Sequence, residues 1–220
     1  AKADLSLRGV GYYEGAKSYS KYTKGQMAIA EQNCGFSGNM IINSQSTSAS
    51  TSGLQASQET GFEYQPISYM TGTYDQKVIG TFSTLTKDID GREAEAKTEL
   101  SHTEKVDEKQ SSSIDKSTAK AENSANLIIG VATPSVSVKD KKGREANSQS
   151  SFIGVYSFDQ SASMDKSAVQ TSQDLKGVGW FEGASTFAKD GKGKEAITYE
   201  DGSFSGNMIK NKLSASIGSS

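Results

Sequence analysis

His102 and Cys34 are the only histidine and the only cysteine among the 220 residues. A zinc or similar site draws three or four imidazole, thiolate or carboxylate ligands together, and single copies of the two best ligands leave little to build one from. His102 lies in the polar run Ser101-His102-Thr103-Glu104 and reads as a surface residue. Nucleophilic catalysis has no better start. Gly35-Phe36-Ser37-Gly38 lacks the Gly-x-Ser-x-Gly spacing of a nucleophile elbow. Its copy at Ser203-Phe204-Ser205-Gly206 argues for architecture over a unique active site. The 26 acidic residues include no pair in an apolar setting that would raise one carboxyl for acid catalysis. Gly9-Val10-Gly11 has neither the lysine nor the later glycine of a phosphate-binding loop. Asp88, Asp90 and Glu93 are spaced superficially like calcium ligands, but related segments put Lys142 and Lys192 in the column of Asp90, and a cation there opposes calcium. The expectation is no enzyme, no cofactor and no metal.

Composition narrows the field further. The chain has 35 Ser, 16 Thr and 22 Gly against 2 Pro, with 34% apolar and 8% aromatic residues. That excludes collagen-like and disulfide-rich classes. No window approaches 18 apolar residues, so no helix is expected to span a bilayer. A formal charge of −2 leaves no basic footprint for nucleic acid. A start at Ala1-Lys2-Ala3-Asp4, without Met or a signal segment, leads us to expect a mature, exported chain.

The chain repeats itself internally. Residues 8–48 match 176–216 without a gap, with 20 of 41 positions identical, including Phe36-Ser37-Gly38-Asn39-Met40-Ile41 and Phe204-Ser205-Gly206-Asn207-Met208-Ile209. Gln110-Ser111-Ser112-Ser113-Ile114-Asp115-Lys116-Ser117 recurs as Gln160-Ser161-Ala162-Ser163-Met164-Asp165-Lys166-Ser167. One motif joins four units: Lys87-Asp88-Ile89-Asp90-Gly91-Arg92-Glu93-Ala94, its copies from Lys139 and Lys189, and a degraded Lys21-Tyr22-Thr23-Lys24-Gly25-Gln26-Met27-Ala28. Its glycines, Gly25, Gly91, Gly143 and Gly193, are 66, 52 and 50 residues apart. The expected boundaries are 1–57, 58–122 with an N-terminal insertion, 123–172 and 173–220. An Asp, two polar residues and a Gly at positive φ form a type I turn with a glycine bulge, a common hairpin connection.

Beyond the turn, residues 93–106 alternate with period two, the signature of a strand with one wet face. Val78–Ser83, Leu127–Val131, Ser151–Phe158 and Phe204–Ile209 also fit strands. The expected fold is all-β: four degenerate β-hairpin repeats of about 50 residues, about four short strands each, forming extended antiparallel sheet or a β-arcade. Aromatics gather in the terminal units, at Tyr12, Tyr13, Tyr19 and Phe36 and at Trp180, Phe181, Phe187 and Phe204. Rings on both parities point to core or subunit interface, and a glycan-stacking face is the alternative. Cys34 has Gly202 as its counterpart, so the repeat does not require it; an intermolecular cross-link and a tolerated small residue both fit.

The terminal units carry nothing like a polar cap, and long hydroxyl-rich edges with little proline invite strand addition. Taken together, the Lys-Asp-x-x-Gly-[Arg/Lys]-Glu-Ala turns, the Phe-Ser-Gly-Asn-Met-Ile blocks and the single Cys resemble the hoop-forming sheath proteins of filamentous methanogenic archaea. The resemblance implies an amyloid-like β fold, a homopolymeric extracellular sheath, and disulfides between hoops through Cys34. The expected function is thus a structural subunit of the cell envelope whose partner is itself. The competing function is a secreted adhesin or carbohydrate-binding module that uses the Tyr and Trp clusters.

Overall fold

A computed structural model describes residues 1–13, 15–21, 26–34, 36–49, 53–63 and 78–218. These form one antiparallel sheet, and the protein is all-β. Its strands are β1 (Lys2–Tyr13), β2 (Ala16–Lys21), β3 (Met27–Cys34), β4 (Phe36–Ala49), β5 (Gly53–Glu63), β6 (Val78–Lys87), β7 (Glu93–Asp115), β8 (Ala119–Lys139), β9 (Glu145–Met164), β10 (Ala168–Lys189) and β11 (Glu195–Gly218). From β7 onward the strands are 20–24 residues long and succeed one another as hairpins. Two shorter series flank β7. Its first half pairs with β6, which carries β3 and then β2; its second half pairs with β5, which carries β4 and then β1. Each of the pairs β1/β2, β3/β4 and β5/β6 therefore occupies the place of one long strand. Where short strands were expected, single strands run through both halves of the sheet.

Length alone would make those strands some 70 Å long at about 3.3 Å per residue, too long for one compact layer. They avoid this by folding over. Within β7, Thr98 donates from its hydroxyl to Glu108, ten residues further along the same strand. Asn123 Nδ2 donates to Thr98 Oγ1 (2.9 Å), Gln160 Nε2 to the Pro134 carbonyl (3.3 Å), and Ser148 Oγ to Gln173 Oε1 (3.1 Å). At the flank, Ser20 Oγ and Thr47 Oγ1 meet at 2.6 Å. The upper half of the sheet thus lies face to face on the lower half, and the strands cross between layers at bends, as in orthogonally packed sandwiches.

The crease has a residue-level cause. Gly130, Gly154, Gly179 and Gly206 stand directly opposite one another across β8 to β11. The first three have φ of +142°, +140° and +136°, a region closed to other L-residues. A Cβ on Gly154 would sit 2.3 Å from the Val178 carbonyl oxygen, and one on Gly179 equally near that of Ile153. On β7 the corner is taken by an irregularity between Ser101 and Lys105, with His102 in the left-handed region at φ +53°.

The space between the layers accounts for the composition. Large side chains gather around the crease: Phe82, Ile128, Phe152, Tyr156, Phe158, Leu175 and Phe181 form one apolar cluster, with the Phe152 and Tyr156 ring centroids 4.3 Å apart. At the opposite rim Leu54, Ile114, Met164 and Val169 join a run of buried alanines. Between the two, Gln45, Gln58, Gln110, Asn123, Gln160 and Gln173 stand in one cross-strand row, all buried. Amides and hydroxyls thus fill interior positions that a larger globule assigns to leucine and isoleucine.

Candidate functional site: two open strand edges

The sheet wraps its core almost as a barrel does, without closing. Among the described residues β11 pairs only with β10, β1 only with β4, and β2 only with β3. Two edges therefore present backbone N–H and C=O groups along their free flanks, the feature through which sheets add strands. None of the three edge strands holds a proline, which would interrupt such pairing.

The outer face near the rim shows what the edges carry. Lys87, Glu93, Lys139, Glu145, Lys189 and Glu195 stand in register on six consecutive strands, with the sign alternating at each step. Lys87 Nζ and Lys139 Nζ each lie 2.8 Å from the Glu93 carboxylate, and Lys189 Nζ lies 3.1 Å from that of Glu195. Partial burial works against ionisation of Glu93, but the ammonium groups of Lys139 and Lys87 hold its carboxyl below the ordinary value. Through the hydrogen bond to Glu93, Lys139 is correspondingly raised. The row ends with a carboxylate, Glu195, on open β11. In the other direction it runs from Lys87 through Met27 to an ammonium, Lys21, on open β2. One edge thus finishes negative and the other positive at the same level. The next outward positions are Ile197, 57% exposed, on β11 and Tyr19, 44% exposed, on β2. Both are apolar side chains left half in water at an edge.

The internal repeat relates the edges. Residues 8–48 match 176–216, so β11 is the counterpart of β3 and β4. Those strands carry β6 and β5 on the flank that β11 leaves open.

The residues singled out from sequence fall in several places. Gly91, Gly143 and Gly193 close the β6–β7, β8–β9 and β10–β11 hairpins at φ +72°, +77° and +88°. Each donates its N–H to the carbonyl of the turn's first Asp at 3.3 Å. Gly25 lies outside the described residues, as do the side chains of Tyr12, Tyr13, Cys34, Phe36 and Phe204. In the backbone, Tyr13 pairs with Phe36, Phe204 with Phe181 and Cys34 with Gly80. Phe181 is buried, whereas its neighbour Trp180 faces outward at 41% exposure beside Ile153, and Phe187 is half-buried. Trp180 is therefore not covered, and the rings do not share one face. Asp88 accepts from the Arg92 backbone N–H (2.8 Å) and Nε (2.7 Å), so its carboxylate serves the turn. Asp140 does the same for Arg144. No group of three potential metal ligands occurs among the described residues.

Sequence reasoning passed over four features. The first is a second set of turns at the rim, where Asp115 accepts from the backbone N–H groups of Ser117 (2.8 Å) and Thr118 (2.7 Å) and is held below its ordinary value by them. Asp165 repeats this with Ser167 and Ala168, and the recurring Asp-Lys-Ser text was the available signal. The second is the glycine crease, and the third the alternating ladder, visible only once the register is known. The fourth is Glu108, fully buried on β7, whose carboxyl desolvation pushes up to about 7 although Thr98 and Gln110 donate to it. No family model, curated protein or solved structure matches the chain.

Proposed function

We propose that the chain is a structural subunit whose copies join edge to edge, β11 of one against β2 and β1 of the next, into an extracellular sheath, tube or filament. The observation that carries this reading is the charge row that ends in Glu195 on one open edge and Lys21 on the other. An antiparallel junction that sets Glu195 against Lys21 continues the alternation across the boundary. The same register sets Ile197 against Tyr19 outside and Thr198 against Ser18 inside, apolar on apolar and hydroxyl on hydroxyl. Between upper and lower halves the β10–β11 register slips by two residues, and so does that of β2–β3 against β1–β4. The same slip at the junction sets Leu213 against Leu5 and Ala215 against Ala3, extending the inner rows. Such a junction is head to tail, so each copy keeps one free edge for the next, and the assembly extends as a ring or a filament.

Negative-stain electron microscopy and fibre diffraction of the concentrated protein test the proposal. Extended sheets or tubes with a repeat of about 4.7–4.8 Å are expected. A protein that stays monomeric at high micromolar concentration, with β11 amides protected from exchange by pairing within the chain, would overturn it.

A further inference from the structure

At the rim, three turns meet around a cavity of about 450 Å3. The β8–β9 turn contributes Lys142 and Arg144, the β9–β10 turn Lys166, and the β10–β11 turn Lys192 and Lys194. Five cationic side chains therefore line the space, together with one carboxylate, Asp190. That carboxylate accepts the backbone N–H groups of Lys192 and Lys194 at 2.8 Å each, so it serves its own turn. Arg144 is bound to Asp140 and donates to the Asp165 carbonyl at 2.6 Å. Lys142, Lys166 and Lys192 make no ion pair among the described residues. The nearby carboxylates of Asp140 and Asp165 are engaged by N–H groups of their own turns.

The equivalent junction one hairpin earlier is filled. There Lys141 lies across the β6–β7 turn, its Nζ donating to the Ile89 carbonyl at 3.2 Å. In the next copy of the motif the residue in that column is Gly191. It has no side chain to lay over its neighbour, and a Cβ there would sit 2.5 Å from the Lys142 carbonyl oxygen. At this junction a glycine both keeps the opening clear and lets the two turns touch.

We propose that this cavity is a binding site for an oxyanion of two or more charges, phosphate or sulfate in chemistry, either free or carried along a polymer. Unpaired ammonium groups converging from separate turns favour a multivalent anion over a single carboxylate, because several charges can be met at once. The cavity borders the end of β11 through Ile217 and Gly218, but the anion site does not rest on edge-to-edge assembly.

Isothermal titration of the full chain with inorganic pyrophosphate at low ionic strength tests the site, and a long-chain polyphosphate forms the second arm. One site per chain is expected, weakening at least tenfold in K142E/K192E and steeply with added salt. K176E/K210E makes the same change in net charge at the crease and should leave binding within twofold. Tighter binding per phosphate in the polymer arm identifies a polymer as the source; equal binding identifies the free ion. Far-ultraviolet circular dichroism confirms that the variants fold. No binding by folded wild type, or an equal loss in both double variants, would overturn the proposal.

Discussion

If Glu195 and Lys21 face each other across every junction, reversing either charge should hinder assembly, and combining the two reversals should restore it. In Lys21→Glu both open edges end negative, so each junction sets carboxylate against carboxylate; in Glu195→Lys both end positive. Lys21 stands opposite the uncharged Met27, which makes its reversal the cleaner of the two within the chain. Reversing Glu195 also removes the pair with Lys189, whose side chain is 39% exposed against 43% for Glu195. An exposed pair contributes about 0.2–1 kcal/mol, and a like-charge pair costs a similar amount. The swing per junction is then about 0.4–2 kcal/mol, which corresponds to a rise of about two- to thirtyfold, centred near tenfold, in the concentration needed for assembly. The assay is sedimentation of polymer across a concentration series at low salt. Each variant alone should need about ten times more protein than wild type. A one-to-one mixture should assemble near the wild-type threshold, since β11 of either variant then meets an opposite charge on the other. At 1 M salt, where the screening length falls to about 3 Å, the differences should shrink. Two results refute the reasoning: single variants that assemble like wild type at low salt, or a mixture no better than its components. Either would mean that the edges meet in another register or not at all.

Glu108 makes stability depend on pH in the direction opposite to a salt-bridged acid. Its folded value of about 7 exceeds the ordinary 4.5, so the native state holds the proton more tightly, and stability present below 4.5 is lost as pH rises to about 7. The loss is about 3 kcal/mol, and urea midpoints of Glu108→Gln should stay flat over that window and exceed wild type at pH 8. Gly154→Ala should cost about 3 kcal/mol or more, because the new Cβ meets a carbonyl oxygen at 2.3 Å and the φ of +140° is closed to alanine. Thermal unfolding measures it, and a loss below 1 kcal/mol would remove the crease argument. His102→Val should cost about 1–2 kcal/mol at φ +53°, whereas His102→Gly should be near neutral by the same measurement. Cys34→Ser should leave the assembly threshold unchanged with or without reductant, since β3 lies one strand in from β2 and the proposed junction is made by β11, β2 and β1.

Local signals made the strands and the first set of turns legible. Asp and Gly at fixed offsets specify a bulged hairpin wherever they occur, and the alternation of Glu93, Glu95 and Lys97 against Ala94, Ala96 and Thr98 specifies a strand with one buried face. The crease was not legible in the same way. A glycine in a strand reads as a weak point until its neighbours across the sheet are known. Only the register reveals that Gly130, Gly154, Gly179 and Gly206 lie in one line, where isolated weak points become a fold axis. The charge ladder is hidden for the same reason. Lys139 and Glu145 are neighbours across one turn and recur with the turn motif, but that Glu93 meets Lys139, 46 residues away, emerges only from the register. Glu108 looked like one more polar residue in Asp107-Glu108-Lys109-Gln110, and its burial is set by strand parity after the irregularity at Ser101–Lys105.

The high hydroxyl content bears directly on the edges. A sheet closed by large aliphatic side chains would leave apolar rows ending in water at each open flank, a hazard for indiscriminate aggregation. Here the inner rows reaching the edges are largely small or polar: Ser20 and Ala28 at one end of their row, Ala188 and Ala196 at the other, with Ser18 and Thr198 one step further in. Such rows tolerate water while the edge is free and pack closely when a strand is added. Affinity must then come chiefly from backbone hydrogen bonds, which are blind to sequence, and selectivity from the few side chains that differ between edges. Glu195, Lys21, Ile197 and Tyr19 are those side chains, and the head-to-tail register is the one in which each of them meets a complement.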